Sequence, residues 1–134
     1  MIVVDASAII AIVTDESDSA LLVAALDKAG AATTTPIAIY EATLGVRRKR
    51  RSGVAQAERA VMEFLSSARI KVEPVDLTAA HLALEAFSRY GKGNQHPAQL
   101  NLGDCFAYAQ AKVSGAALLF KGEDFAKTDI ESAS

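Results

Sequence analysis

Four carboxylates fall at points in the sequence where a fold of alternating strands and helices would bring them together. Asp5 directly follows the apolar run Ile2–Val4, and open parallel sheets gather ligands and chemistry at the carboxyl ends of their strands. A carboxylate buried there is costly unless a partner faces it. The other three acids stand at comparable junctions: Glu41 in a helix entered through Pro36, Asp104 at the helix start 101–104, and Asp124 after the apolar run 116–120.

Such a group of acids predicts a divalent-metal site. Carboxylates crowded together cannot all stay ionised unless their pKa values rise or a cation lies between them. Oxygen ligands suit Mg²⁺, or Mn²⁺ as a substitute, and these ions keep waters and complete their coordination with phosphate oxygens. A cation held in this way activates water and neutralises charge on a phosphoryl group. Ser7 and Thr128 are predicted to supply hydroxyl ligands or hydrogen bonds to the carboxylates.

Three of the four acids also have an ordinary structural explanation. Asp5 could cap the helix that follows it. Asp104 stands three residues after Asn101, which is the spacing of a capping box. Asp124 lies two residues after Gly122, in a sequence typical of a turn. Glu41 is harder to explain, because its helical neighbours are apolar, and a metal accounts for all four acids better than independent caps do.

The composition indicates one soluble globular domain that spans residues 1–134. Of the 134 residues 51% are hydrophobic and 22% are charged, which is enough apolar surface for a core that folds alone. The single cysteine, Cys105, excludes an intrachain disulfide and a multi-cysteine zinc site, and predicts a reducing cytoplasm. No segment is apolar enough to span a bilayer, and the early apolar stretch, interrupted by Asp5, lacks the basic leader of a secretory signal.

One run of basic residues stands out against an otherwise acidic chain. It supplies five of the 14 basic residues, against 16 acidic ones. Such a patch could bind the phosphates of RNA by releasing condensed counterions. Equally, cations in the last turns of a helix complement its dipole and lie in water. Both interpretations stay open for the run, which comprises Arg47, Arg48, Lys49, Arg50 and Arg51.

Short apolar runs alternate with helical periodicity along the chain, which predicts an α/β fold with a parallel sheet covered on both faces. The stripe of Leu77, His81, Leu84 and Phe87 predicts the buried face of one helix, with His81 in the core. Residues 91–101 are predicted to form a polar loop. Strands are predicted at 2–4, 32–35, 70–75 and 116–120, and helices at 8–13, 19–29, 37–51, 54–68, 77–90 and 102–113.

Five sequence blocks that include the four acids resemble one known family. The blocks are Asp5–Ile9 (DASAI), Tyr40–Ala42 (YEA), Leu100–Ala109 (LNLGDCFAYA), Leu118–Phe125 (LLFKGEDF) and Thr128–Ile130 (TDI). Together they look like a PIN-domain ribonuclease of the VapC toxin type, over essentially the whole chain. The resemblance implies a three-layer α/β/α fold with strand order like 3-2-1-4-5, an acidic Mg²⁺ pocket and endonucleolytic cleavage of RNA. It also implies homodimers and a VapB-like antitoxin that joins them in a larger assembly.

Carried over residue by residue, the resemblance makes Asp5, Glu41 and Asp104 the three main catalytic and metal-binding acids. Asp124 fits best as the fourth, although Glu123 and Asp129 lie nearby in sequence. Asp129 is otherwise expected to support the ligands through hydrogen bonds, as Ser7 and Thr128 are. The antitoxin is expected to place an arginine or lysine among the acids where Mg²⁺ would bind, because a guanidinium fork can bind carboxylates in pairs.

Two other functions compete with this interpretation. A receiver-like signalling module also uses an α/β sheet, an acid near the first strand and a lysine after a late strand, a place that Lys121 occupies. That hypothesis lacks paired acids at the first strand and leaves Glu41 and Asp104 unexplained. A non-catalytic RNA-binding module would use only the basic run, and the intact acids argue against it. Metal-dependent RNA cleavage separates the three hypotheses.

Overall fold

The computed structural model describes residues 1–134, which form one parallel sheet flanked by helices. The order across the sheet is β3-β2-β1-β4, and every neighbouring pair is parallel. β1 is therefore a central strand, with Asp5 directly after its last residue. The strands are β1 (Ile2–Val4), β2 (Ala32–Thr34), β3 (Ile70–Val72) and β4 (Ala117–Leu119).

Six α-helices connect the strands, and none has the length and apolar composition needed to cross a bilayer. Local chemistry sets the start of the helix that carries Glu41: Thr35 accepts a hydrogen bond from Ala38 N at 3.2 Å, and Pro36 takes the first helical position. The helices are α1 (Ala6–Val13), α2 (Ser19–Ala29), α3 (Pro36–Arg50), α4 (Val54–Ser67), α5 (Leu77–Tyr90) and α6 (Leu102–Ser114), and a 3₁₀ turn spans Phe125–Lys127.

Two apolar clusters lie on opposite faces of the sheet. One contains 17 buried residues, mainly from α1 to α4, and the other contains 14, mainly from α5 and α6. β1 contributes to both, because successive side chains of a strand point to opposite faces: Ile2 and Val4 lie in the first cluster and Val3 in the second. This arrangement confirms the predicted three-layer α/β/α fold.

The sheet is smaller than predicted. The order of the first four strands is confirmed, but no fifth strand forms. Instead the C-terminal segment pairs with β4 at a single bridge between Leu118 and Ser132. β3 ends at Val72 rather than at residue 75, because Pro74 has no N–H with which to continue the ladder.

The buried face of α5 differs from the prediction, although the bounds of the helix are confirmed. Leu77 and Leu84 are 86% and 69% exposed. His81 lies at the surface, 3.3 Å from Glu85, so its placement in the core was wrong. The reason is the packing of α5 against α6, which uses small side chains that allow close approach and turns the bulky stripe outward. The buried residues of α5 are Ala79, Ala83, Ala86 and Tyr90.

Candidate functional site

Asp5 lies at the carboxyl end of β1, where its charge acts on Glu41 and Asp104; the place where these acids come together is called the acidic pocket. Asp5 is only 4% exposed, and its backbone N–H donates to Leu119 O at 2.9 Å in the neighbouring strand. The Oδ2 atom accepts hydrogen bonds from Ser7 N at 3.0 Å and Ser7 Oγ at 2.5 Å. Burial raises the pKa of Asp5 despite these hydrogen bonds. Asp5 is therefore both the cap of α1 and a buried acid, so one explanation does not exclude the other.

Ser7 connects Asp5 to the segment that follows β4. Its hydroxyl donates to Asp5 and accepts a hydrogen bond from Lys121 N at 3.0 Å. Both hydrogen bonds from Ser7 use Oδ2 of the carboxylate. Ser7 therefore orients the carboxylate through one oxygen.

Glu41 reaches the pocket from α3. It is half-buried, and its carboxylate lies against Gly103 at the start of α6, where a Cβ atom would overlap it. Neither oxygen of Glu41 accepts a hydrogen bond within the chain. Burial, followed by the nearby charges of Asp5 and Asp104, raises its pKa to about 7. Gly103 was not identified from the sequence, where a glycine in a helix start carries no sign of what will pack on it.

Asp104 enters the same pocket from the first turn of α6. It forms a capping box, accepting from Asn101 N at 3.1 Å through Oδ2 while its own N–H donates to Asn101 Oδ1 at 2.9 Å. Burial, followed by the charges of Asp5 and Asp124, raises its pKa to about 6, against the effect of the Asn101 hydrogen bond. Lys92, in the loop before α6, is the cation whose charge opposes this rise.

Asp124 is the acid that the structure brings to the edge of this pocket from the C-terminal region. It is exposed at the start of the 3₁₀ turn, and its charge acts on Asp104. The charge of Asp124, unlike those of Glu123 and Asp129, is among the main influences on the pKa of Asp104. The pocket therefore contains Asp5, Glu41 and Asp104, with Asp124 at its rim.

Asp129 and Thr128 form hydrogen bonds with residues other than the pocket acids, and their predicted supporting role stays a prediction. The Asp129 carboxylate accepts hydrogen bonds from Tyr108 Oη at 2.5 Å, Tyr90 Oη at 3.2 Å and Lys112 Nζ at 3.2 Å. Burial would raise the pKa of Asp129, but the hydrogen bond from Tyr108 and the contacts with Lys112 outweigh it and hold the pKa below its ordinary value. Thr128 Oγ1 donates to Phe125 O at 2.7 Å within the 3₁₀ turn. Both residues therefore hold the C-terminal segment in place.

No cation of the chain neutralises the pocket by direct contact. None of the ion pairs involves Asp5, Glu41, Asp104 or Asp124. The acids also do not converge as tightly as a closed cation cage, because no three of them meet that spacing. A cation held here would therefore contact few protein oxygens at once and keep several waters, which is the habit of Mg²⁺. Asp5, Glu41 and Asp104 are the residues that could hold such a cation.

The basic run divides into two parts. Lys49 pairs with Glu16 at 2.7 Å, and Arg50 donates to Val13 O at 2.6 Å, so these two side chains hold α3 against the end of α1. The remaining cations are exposed and form no ion pair or side-chain hydrogen bond: Arg47, Arg48 and Arg51.

Two other reactive side chains have structural roles. Cys105 is buried beside Asp104, and burial, with the charge of Asp104, raises its pKa to about 11, so the thiol stays protonated at neutral pH. His96 accepts a hydrogen bond from Ala98 N at 3.0 Å and packs edge-on against Tyr90 with ring centroids 4.9 Å apart. His96 therefore caps a turn in the loop before α6.

Residues 2–131 match the model of the PIN domain. The chain belongs to the PIN domain family. Ribonuclease VapC42 of Mycobacterium tuberculosis is 40% identical over 131 residues, which cover 98% of each chain. Ribonuclease VapC of Mycolicibacterium smegmatis is 42% identical over 128 residues, covering 96% of each chain. A VapC ribonuclease of Rhizobium meliloti is 38% identical over 138 residues, covering 95% of this chain and 97% of the relative.

A solved structure supports the fold of this PIN domain. The crystal structure of Mycobacterium tuberculosis VapC20, described as a toxin that cleaves the Sarcin-Ricin loop, superposes with a TM-score of 0.75 over 97% of this chain and 96% of that one. At 16% identity the likeness concerns the fold alone. The receiver-like hypothesis is wrong for this PIN domain, and Lys121 pairs with Glu16 and Asp18 rather than with the pocket acids.

Proposed function

We propose that this PIN domain is a Mg²⁺-dependent endoribonuclease and the toxin of a VapBC-type toxin-antitoxin system. The observation that carries the proposal is the meeting of Asp5, Glu41 and Asp104. They come from three separate elements, their pKa values are raised by burial and in part by one another, and no ion pair of the chain neutralises them. Relatives that are named VapC ribonucleases over almost the full length support the same activity.

The metal would be held by the three pocket acids, with Asp124 at the rim. A bound Mg²⁺ supplies an activated water and neutralises charge on the phosphodiester. Asp5 is kept in one orientation by Ser7, and Asp104 by its capping box with Asn101. Because Glu41 and Asp104 have pKa values of about 7 and about 6, cation binding must displace protons from them near neutral pH.

The RNA substrate would contact the exposed arginines of the basic run. Arg48 lies seven residues after Glu41 on the same helix, which is roughly 10 Å along the axis and two turns away on the same face. A strand whose scissile phosphate lies at the acids could therefore place another phosphate near Arg48. Arg47 and Arg51 are free in the same way, whereas Lys49 and Arg50 are engaged within the chain.

The antitoxin would inhibit the enzyme by placing a cation among the pocket acids. An arginine suits this role, since the acids have no cation partner of their own and a guanidinium can bind two carboxylates. The remainder of a VapB-like partner would lie as an amphipathic segment on the helices before and after β2. These helices expose apolar side chains to receive it, namely Leu21, Val23, Tyr40 and Met62. With an RNA substrate and such a partner, the protein would act in the cytoplasm.

A homodimer would form through the outward stripe of α5. Leu84 and Phe87 line an apolar cleft with Leu102 of α6, with a volume of about 380 Å³ and no charged side chain in its walls. A second copy of the chain fits this surface, because a two-fold dimer pairs one patch with itself and an uncharged apolar patch carries no like-charge repulsion.

The proposed activity is tested by incubating purified protein with RNA and separating the products on a gel. Internal cleavage is expected with Mg²⁺ or Mn²⁺ and should stop in EDTA, because carboxylates without a bound cation cannot neutralise the charge on the phosphodiester. The Glu85→Gln variant, altered on the exposed face of α5, serves as the control and should cleave like the parent. Cleavage that persists undiminished under chelation would refute the metal-dependent mechanism.

A further inference from the structure

Glu16, in the turn between α1 and α2, gathers two lysines on one carboxylate. Its side chain is 15% exposed, Lys49 lies at 2.7 Å from Oε2, and Lys121 is paired with Oε1. Lys121 also lies 3.5 Å from Asp18. The hydrogen bonds from Lys121 and Lys49 hold the pKa of Glu16 below its ordinary value, so the carboxylate stays ionised.

Each lysine belongs to a segment that carries a pocket acid. Lys49 lies on α3, the helix of Glu41. Lys121 stands three residues before Asp124, and its backbone N–H donates at 3.0 Å to the Ser7 hydroxyl that holds Asp5. Glu16 is therefore joined, directly or through one hydrogen-bonded residue, to the segments of Asp5, Glu41 and Asp124.

One other carboxylate, that of Asp129, also contacts two cations, Arg89 at 3.8 Å and Lys112 at 3.2 Å, but its side chain is 46% exposed. Lys71 with Glu73 and His81 with Glu85 join residues close in sequence on exposed surfaces, where such pairs contribute little. Glu16 instead joins Lys121 across 105 residues of sequence, and it does so beside a pocket whose acids repel one another. A tie between the segments opposes that repulsion.

We propose that Glu16 is a positioning residue for the acidic pocket. By holding Lys49 and Lys121 on one carboxylate, it sets the distance between α3 and the segment after β4 and keeps the Lys121 amide on Ser7. Lys49 pairs with one oxygen of the Glu16 carboxylate and Lys121 with the other. Neither the neutral amide of glutamine nor the shorter side chain of aspartate can therefore replace Glu16. The inference rests on the proposed nuclease function for its consequence in catalysis, but the positioning itself is measurable in metal-free protein.

The test compares the parent with Glu16→Gln and with the control Glu85→Gln, which removes an exposed carboxylate from another ion pair. In metal-free protein, amide hydrogen exchange at Lys121 should become faster in Glu16→Gln only. Mn²⁺ affinity, measured by calorimetry, should fall by roughly 10–100-fold, as it does when the partners of metal ligands are removed. On RNA, kcat should fall while KM does not rise, because Arg47, Arg48 and Arg51 are unchanged and Lys49 loses only its acidic partner.

Lys121→Met and Lys121→Arg make the result independent of the folding of Glu16→Gln. Lys121→Met should reproduce the loss of Mn²⁺ affinity, and Lys121→Arg, which keeps the charge, should recover most of it. Unchanged Lys121 exchange and unchanged Mn²⁺ affinity in Glu16→Gln would overturn the positioning role. A parent that binds Mn²⁺ and shows these effects but cleaves no RNA would instead overturn the proposed function and leave the positioning role standing.

Discussion

The carboxylate of Glu41 occupies the space that a Cβ atom on residue 103 would fill. Gly103 therefore allows α3 and α6 to bring Glu41 beside Asp104, the next residue on α6. The close approach depends on both residues at once, since a side chain at 103 or a shorter acid at 41 would separate the two carboxylates.

Gly103→Ala is expected to separate stability from activity. Alanine favours a helix over glycine by about 0.5–1 kcal/mol, and the overlapping group is the flexible end of Glu41, so the free energy of unfolding should stay the same or rise slightly. RNA cleavage and Mn²⁺ affinity should fall by about tenfold or more, because Glu41 must move off its position. Thermal denaturation measures the stability, and cleavage rates measure the activity. The control is Gly53→Ala, because an added Cβ atom at Gly53 meets only open space. Equal activity in the two variants contradicts the role of Gly103.

The stability of the metal-free protein should fall as pH rises. Burial and neighbouring acids raise the pKa of Glu41 from 4.5 to about 7 and that of Asp104 from 3.8 to about 6. Between the unfolded and folded pKa values the folded state binds more protons than the unfolded state, so the free energy of unfolding decreases with pH through this window. Denaturation in EDTA from about pH 5 to about pH 8 measures the slope, and Glu41→Gln should reduce it.

Mg²⁺ should stabilise the protein more at pH 8 than at pH 6, because it must displace protons that the acids hold at the lower pH. A stabilisation that does not vary with pH in this range would mean that the cation binds away from Glu41 and Asp104.

Asp5→Asn and Asp104→Asn should keep the fold and lose the activity. Each substitution preserves shape and removes one negative charge, so RNA cleavage should fall by about two orders of magnitude or more. Loss of repulsion should raise the thermal stability of the metal-free protein. In cells, expression of the parent alone should arrest growth, co-expression of the antitoxin should relieve it, and Asp5→Asn should be harmless. An Asp5→Asn variant as toxic as the parent is incompatible with the proposed pocket.

The salt dependence of RNA binding should identify which cations contact phosphates. Neutralising Arg47, Arg48 and Arg51 together to glutamine should reduce the slope of log affinity against log salt by about 2, since each phosphate contact on a single strand contributes about 0.7. Mn²⁺ affinity should not change. The control is Arg59→Gln, an exposed arginine on α4. A triple variant with the slope of the parent would mean that these arginines lie in solvent at the end of the helix and contact no phosphate.

Leu84→Glu should convert a dimer into a monomer. Leu84 is 69% exposed in the single chain and lines the apolar cleft between α5 and α6, so the substitution places two like charges against each other at a two-fold interface without disturbing the core. Light scattering after size exclusion gives the mass. The matched control is Leu21→Glu, 73% exposed on α2, which should stay dimeric. If only the control changes the mass, the interface lies on the other side of the molecule.

The sequence by itself determined the elements and three of the pocket acids. The ends of α2 and α5 fall where they were predicted, because caps, glycines and apolar periodicity act within a few residues of the chain. Asp5, Glu41 and Asp104 were identified from their places at the ends of strands and starts of helices, and parallel topology then brings such places to one edge of the sheet.

Only the tertiary structure decided which side chains meet across the chain. Asp129 is an acid close in sequence to Asp124, but its carboxylate accepts hydrogen bonds from Tyr90, Tyr108 and Lys112. The stripe of α5 is apolar in sequence, yet the close packing of small residues on α6 turns it outward. The contacts of Glu41 with Gly103 and of Glu16 with Lys121 join residues that lie far apart in sequence. No local pattern encodes them, because they depend on the distance between elements after packing.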